Sequence, residues 1–244
     1  MTDGLLLIHA FPLDASMWDR QAAALESRLP VVAPHLPGFG GTTDAGDVMT
    51  MRAAAARCLE TLDHAGIDRA VVCGLSMGGY VAFELWRTAH DRIAGLMLAN
   101  TRAEADSEEA AAKRRELAER LRQEGNVLAE NPPPLLSEHA PDELRNRVRG
   151  TIAAQPAASI AAAALGMAER PDSTADLAGI DVPALVVTST EDALIPREIS
   201  EPMAGLIPGA ALAVIEGSGH LTSLEAPDEF EPLLASFLDR CGVS

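Results

Sequence analysis

Six short, essentially apolar runs punctuate the chain: Leu5–Ile8, Val31–Ala33, Ala70–Cys73, Ile93–Ala99, Ala184–Val187 and Ala211–Ile215. They are continuous. A strand with one face in water alternates apolar and polar residues, so a run without alternation has to be covered on both faces. Too short for ordinary helices, the runs predict strands of a parallel sheet enclosed between helical layers. Helical signals stand where such a sheet needs them. Thr50 reads as an N-cap for Met51–His64, with Gly66 as the stop. Gly78–Ala89 carries Val81, Phe83, Leu85 and Trp86, and Pro227–Leu238 sets Phe230, Leu233, Leu234 and Phe237 at helical spacing. Strand alternating with helix predicts a doubly wound α/β fold with a largely parallel sheet of about six strands.

The alternation breaks between Thr101 and Gly179. Glu104–Gln123 is charged, alanine-rich and helical in pattern, Asn131-Pro132-Pro133-Pro134 is a hard stop, and Asp142–Ala154 and Ala157–Ala168 read as further helices. The stretch contains no convincing strand, and a strand follows it directly. At 244 residues the chain suits one large domain, so residues 1–100 and 179–244 are expected to form a single core. Residues 101–178 are expected to be a helical lid inserted between two of its strands.

A formal charge of −17 repels phosphate backbones and anionic lipid surfaces, which excludes nucleic-acid and membrane-surface binding as expected functions. Cys58, Cys73 and Cys241 make neither a disulfide framework nor a metal-binding spacing. Gly4–Ala10 is far too short to span a membrane, and no basic segment precedes it, so the chain is read as soluble and cytoplasmic.

The run Ala70–Cys73 leads into Gly74-Leu75-Ser76-Met77-Gly78 and then into a helical pattern. This is G-x-S-x-G in a strand–turn–helix context. The turn is strained so that the serine hydroxyl projects from the sheet, and side chains at 74 and 78 would meet backbone. The helix that follows aims its positive end at the serine, which favours developing negative charge. A serine hydroxyl needs a base. His220 lies in Gly217-Ser218-Gly219-His220, just past the last predicted strand, at the sheet edge where α/β proteins bind ligands. The base needs an orienting acid. Asp192 closes the segment after Ala184–Val187, with Glu191 as its rival; Glu225 and Asp228 read as parts of the next turn and helix. Ser76, Asp192 and His220 are therefore the candidate nucleophile, acid and base.

With His9-Ala10-Phe11-Pro12 after the first strand, these residues resemble the α/β-hydrolase superfamily, in particular its small lid-bearing esterase and enol-lactonase branch. The resemblance rests on residues 9–18, 36–42, 74–79, 191–196 and 217–230, which span the core from end to end. They are specific to the fold and much less so to the substrate. The resemblance implies an oxyanion hole formed by the backbone N–H groups of Phe11 and Met77, and a histidine at position 9 that shapes its loop without acid–base work. Two positions depart from the family pattern: Ala10 stands where glycine is usual, and His35 where aspartate is common. His9 and His35 both fall at predicted strand ends, but a third ligand at suitable spacing is missing, so neither a metal nor an organic cofactor is expected. Family members often begin with an antiparallel hairpin; this chain starts almost at the strand ending in His9, which predicts a reduced sheet.

The expected activity is hydrolysis of a small-molecule carboxylic ester through an acyl-enzyme. Enol-lactonase, thioesterase and cofactor-free perhydrolase or haloperoxidase chemistry would use the same triad, whereas a haloalkane dehalogenase would need aspartate at position 76. A ligand sensor that keeps the triad but stalls is the alternative from another class. Leu128, Leu135, Leu136 and Met167 are candidates to line the lid, with Trp18 and Leu194 below, although each taken singly is an ordinary core residue. Arg145, Arg147 and Arg149 are the lid arginines considered for an anionic substrate; recurring at every second position, they point apart on a helix. Together with the net charge, that predicts a preference for neutral esters.

Overall fold

The computed structural model describes residues 2–42 and 45–243. Its centre is a six-stranded sheet, all parallel, in the order β2-β1-β3-β4-β5-β6. The strands are β1 (Asp3–Ile8), β2 (Val31–Val32), β3 (Arg69–Leu75), β4 (Ile93–Ala99), β5 (Ala184–Ser189) and β6 (Ala211–Ile215). All six apolar runs are strands. The reason for their continuity is visible in the packing. Leu6, Ile8, Val72, Leu96 and Leu98 face one layer of the core, while Leu5, Leu7, Val71, Cys73 and Met97 face the other. Successive side chains alternate between faces, and the apolar runs of β1, β3, β4 and β5 are buried on both; the edge strands β2 and β6, expected to be covered likewise, are partly exposed, Leu212 at 36%, because each has a neighbouring strand on one side only.

The helices are α1 (Asp19–Leu25), α2 (Met51–His64), α3 (Met77–Ala89), α4 (Glu108–Glu124), α5 (Val127–Glu130), α6 (Asp142–Ala154), α7 (Ala157–Ala168), α8 (Arg197–Leu206), α9 (Thr222–Glu225) and α10 (Pro227–Arg240). Helices α2, α3 and α8 contribute to one core layer, and α1 and α10 to the other. The Thr50 hydroxyl accepts the Ala53 N–H at 3.1 Å and so starts α2. Trp18, considered for the pocket floor, lies instead in the core beneath α10, with its ring centroid 5.9 Å from that of Phe230.

Helices α4 to α7 stand between β4 and β5 in the chain, and no strand interrupts them. Helix α4 packs along α7, and both reach into the layer that holds α2 and α3. Helix α7 is rich in small residues where it runs close to other backbone. Met49 donates its N–H to the Ala162 carbonyl at 3.0 Å, and a Cβ at Gly166 would strike the Met49 carbonyl oxygen. Among the described residues no single helix is long and apolar enough to cross a membrane.

Strand order positions the site. After β1 the chain steps to one side for β2, then crosses to the other side for β3. The loops leaving β1 and β3 therefore diverge at their carboxyl ends, which opens the crevice where parallel sheets bind ligands.

Candidate active site

Ser76 sits at that crevice, between β3 and α3, with φ +57° and ψ −115°. A non-glycine residue at positive φ costs free energy and persists only where its surroundings impose it. Here they do. The Ser76 N–H donates to the Ala99 carbonyl at 2.9 Å, and the Ser76 carbonyl accepts from the Gly79 N–H at 2.9 Å and the Thr101 hydroxyl at 2.8 Å. A Cβ at Gly74 would strike the Gly78 carbonyl, and one at Gly78 the Ile8 carbonyl of β1. The glycines let strand, turn and helix approach closely enough to hold the serine at the tip.

His220 is 1% exposed, and its Nδ1 lies 2.7 Å from Asp192 Oδ2. Asp192 accepts three more hydrogen bonds. Oδ1 takes the Leu194 and Ile195 N–H groups, each at 2.9 Å, and Oδ2 takes Nδ2 of Asn100 at 3.0 Å. Burial raises the Asp192 pKa, but the hydrogen bond and charge of His220, with the donors at Ile195 and Asn100, outweigh it and hold the carboxyl below the ordinary aspartate value. Glu191, the rival acid, turns its carboxylate toward His139, 4.0 Å away. Glu225 accepts the Gly219 and Ser137 N–H groups, which ties the His220 loop to the segment before α6, and Asp228 pairs with Arg20 at the surface.

The sequence did not single out Asn100. It has φ +43° and is fully buried. Its amide also donates to Ser189 Oγ at 2.8 Å and accepts from the Thr222 hydroxyl at 2.8 Å, while Ser189 donates to the Gly219 carbonyl at 2.7 Å. One side chain thus links the ends of β4 and β5 to the loop that carries His220. Its only signal in the sequence is its position at the carboxyl end of an apolar run.

The backbone N–H groups of Phe11 and Met77 have no protein acceptor among the described residues, and Phe11 lines the same cavity as Ser76. His9 is buried between Ala10 and Leu36: Nδ1 lies 3.1 Å from the Ala10 carbonyl, and Nε2 accepts the Leu36 N–H at 3.1 Å. Burial pushes its pKa down to about 4, so the ring is neutral and braces the loop after β1 against the chain beyond β2. His35 accepts the Ala15 N–H at 3.2 Å through Nδ1. The described residues contain no group of three or more metal-ligating side chains.

Ser76 and His220 open into one cavity of about 240 Å³. Leu128, Leu135, Met167 and Leu194 line it, four of the residues read as candidates; Leu136 lines an adjoining groove with Arg145 and Arg149, and Pro133 and Leu135 border both. Two other arginines reach the Ser76 cavity, Arg102 from the segment after β4 and Arg114 from α4. Both grip Asp106, whose carboxylate is fully shielded and also meets Arg170. Burial raises the Asp106 pKa, and the charges and hydrogen bonds of Arg114 and Arg170 overcome this and lower it.

The model of the alpha/beta hydrolase family matches residues 5–233. A thermophilic esterase from Thermogutta terrifontis, solved with malate bound, is 41% identical and superposes with a TM-score of 0.93, over 99% of this chain and 92% of that one. The 3-oxoadipate enol-lactonase 1 of Acinetobacter baylyi is 28% identical over 237 residues, 96% of this chain and 88% of that protein. A pimeloyl-(acyl-carrier protein) methyl ester esterase of Aromatoleum aromaticum is 30% identical over 245 residues, 94% of this chain and 96% of that protein.

Proposed function

The chain belongs to the alpha/beta hydrolase family, and on that premise we propose that it is a carboxylic ester hydrolase acting through Ser76, His220 and Asp192. The observation that carries this reading is convergence: Ser76, at the tip of a strained turn, and His220, gripped by Asp192 at 2.7 Å, face one cavity. Donation from Nδ1 to Asp192 leaves Nε2 free to take a proton. Ser76 Oγ attacks the ester carbonyl while its proton passes to Nε2. The unpaired N–H groups of Phe11 and Met77 receive the oxyanion, as does the positive end of α3. Collapse breaks the ester C–O bond, and His220 returns the proton to the departing alcohol. Water, activated in the same way, then releases the acid and restores Ser76.

Helices α4 to α7 act as the lid over this site in our reading, since α4, α5 and α7 supply Arg114, Leu117, Leu128 and Met167 to the cavity. Substrates are small-molecule esters or lactones, in keeping with the esterases and the enol-lactonase among the relatives. Lactone opening uses the same steps, with the alcohol retained in the product.

Ser76→Ala is expected to abolish aryl-ester turnover while melting like the wild type. A fluorophosphonate should add to Ser76 in the wild type, seen by mass spectrometry. Sustained turnover separates the enzyme from a sensor, which would release one equivalent of alcohol and stall. Retained activity in a folded Ser76→Ala variant would overturn the assignment.

A further inference from the structure

The segment before α6 crosses directly over the loop that carries His220. Leu221 donates its N–H to the Leu135 carbonyl at 3.0 Å, and a Cβ at Gly219 would strike the Ser137 nitrogen and the Leu136 backbone. At this crossing two backbone donors, the N–H groups of Gly219 and Ser137, come together, and neither can pair with the other. Glu225, at the end of α9, takes both. Its Oε2 accepts the Gly219 N–H at 3.1 Å and the Ser137 N–H at 3.1 Å, and its Oε1 accepts the Ser137 hydroxyl. The far side of Ser137 is held as well, since its carbonyl accepts Nη2 of Arg145, from α6, at 2.7 Å. Bonds to an ionised acceptor are the stronger kind, so the carboxylate fixes segment and loop against each other. Two parts of the site meet there. His220 follows Gly219 directly, so the Gly219 peptide sets where the imidazole stands. Leu135, 3% exposed, borders both the Ser76 cavity of about 240 Å³ and the adjoining groove of about 440 Å³.

We infer that Glu225 is a positioning residue for His220 that also pins Leu135, so one carboxylate sets both the alignment of the base and the length of acyl chain the cavity admits. This rests on the reading of Ser76 as the nucleophile. The effect on the base is steep, because a displacement of about 1 Å in a catalytic group costs on the order of a hundredfold in rate. The effect on length follows from space. While the wall is held, the cavity ends at Leu135 and Pro133. Once it is released, the apolar surfaces of Pro132, Leu136 and Val148 in the groove become open to further methylenes, each worth about fourfold in binding.

Two substitutions attack the crossing from opposite sides. Glu225→Gln keeps the shape of the side chain but leaves one accepting oxygen and sets an N–H donor against a backbone N–H. Gly219→Ala pushes Ser137 off the loop. In both, kcat for 4-nitrophenyl butanoate should fall by about tenfold or more with KM little changed. The kcat/KM of the octanoate relative to the butanoate should rise by about fourfold or more. Ser137→Ala, which spares both backbone N–H groups, should move both readouts the same way by about threefold. Glu229→Gln, which removes the same charge from an exposed position on α10, should move neither. Melting curves establish that each variant is folded at the assay temperature; if the two larger changes unfold the chain, Ser137→Ala carries the test. The proton between His220 and Asp192 supplies a readout without turnover: its low-field resonance in the wild type should broaden or vanish in Glu225→Gln. Loss of that resonance, with no ester turned over by the wild type, would uphold the positioning of His220 and overturn the proposed hydrolysis. A folded variant with kcat and length preference both at wild-type values would leave the hydrolysis standing and end the proposal. A change in one without the other would also end it, since a single carboxylate is held to govern both.

Discussion

Asn100 and His220 hold the same oxygen of Asp192: the Asn100 amide donates to Oδ2 at 3.0 Å, and His220 Nδ1 lies 2.7 Å from it. With two backbone N–H groups on Oδ1, the carboxylate is fixed in orientation and kept ionised. Asn100 does not line the Ser76 cavity and its amide is spent on Asp192, Ser189 and Thr222, so its part is to position the acid. Asn100→Ala should leave Ser189 and Thr222 short of partners and cost about 1–3 kcal/mol for each buried group orphaned. It should lower kcat more than KM. Its acid limb should also shift. The depressed Asp192 pKa stabilises the fold above the ordinary value of 3.8, and this contribution disappears as pH falls through the folded value. In the variant the folded value moves back toward 3.8, so the contribution shrinks. Denaturation curves at several acidic pH values would show it, and an unchanged kcat would remove Asn100 from any role in positioning.

Asp192→Asn should cut turnover by orders of magnitude, since an amide favours the wrong imidazole tautomer; about 10⁴-fold is the magnitude known for a serine protease. Glu191→Gln should change turnover by no more than about twofold, because its carboxylate is partly exposed and lies 4.0 Å from the exposed His139 ring, away from His220. Steady-state kinetics on both variants decide the matter. A more damaging Glu191 substitution would reassign the acid.

His9 makes stability depend on pH. Its pKa falls from 6.5 when unfolded to about 4 when folded. The unfolded chain therefore binds more protons between these values, and stability rises with pH through that window. The stabilisation is full above 6.5 and is lost as pH drops toward 4, by on the order of 3 kcal/mol. The structural reason is direct: a protonated Nε2 can no longer accept the Leu36 N–H. His9→Gln should flatten this part of the stability curve, measured by chemical denaturation at neutral and mildly acidic pH. An equal slope in both proteins would refute the assignment.

Gly78→Ala should destabilise by about 1–3 kcal/mol, because the new methyl meets the Ile8 backbone, which the sheet prevents from yielding. Gly150→Ala in α6 is the contrast. Nothing lies within 4 Å of its Cβ position, so the substitution should stabilise by about 1 kcal/mol through helix propensity. Thermal melts of the two variants should move in opposite directions.

What the sequence by itself determined is local. Continuous apolar runs declared strands, Thr50 declared the start of α2, and Gly74 declared a tight turn whose Cβ position the Gly78 carbonyl fills, because each depends on neighbours within a few residues; at Gly78 the excluded Cβ meets Ile8 of β1, a tertiary contact. Two helices between β4 and β5 were legible for the same reason: α6 and α7 run over Asp142–Ala154 and Ala157–Ala168, as their patterns indicate. Position at a strand end drew attention to Asp192 and His220, and chain order made them partners only by analogy. Tertiary structure decided the rest. Asn100 meets Asp192 across 92 residues of chain, a contact that exists only because β4 and β5 are neighbours in the sheet. The arginines of the Ser76 cavity are Arg102 and Arg114, whereas Arg145 and Arg149 line another groove. Which way a guanidinium points is set by how α4 packs on α7 and by a buried aspartate that gathers it. Periodicity and net charge carry no record of either.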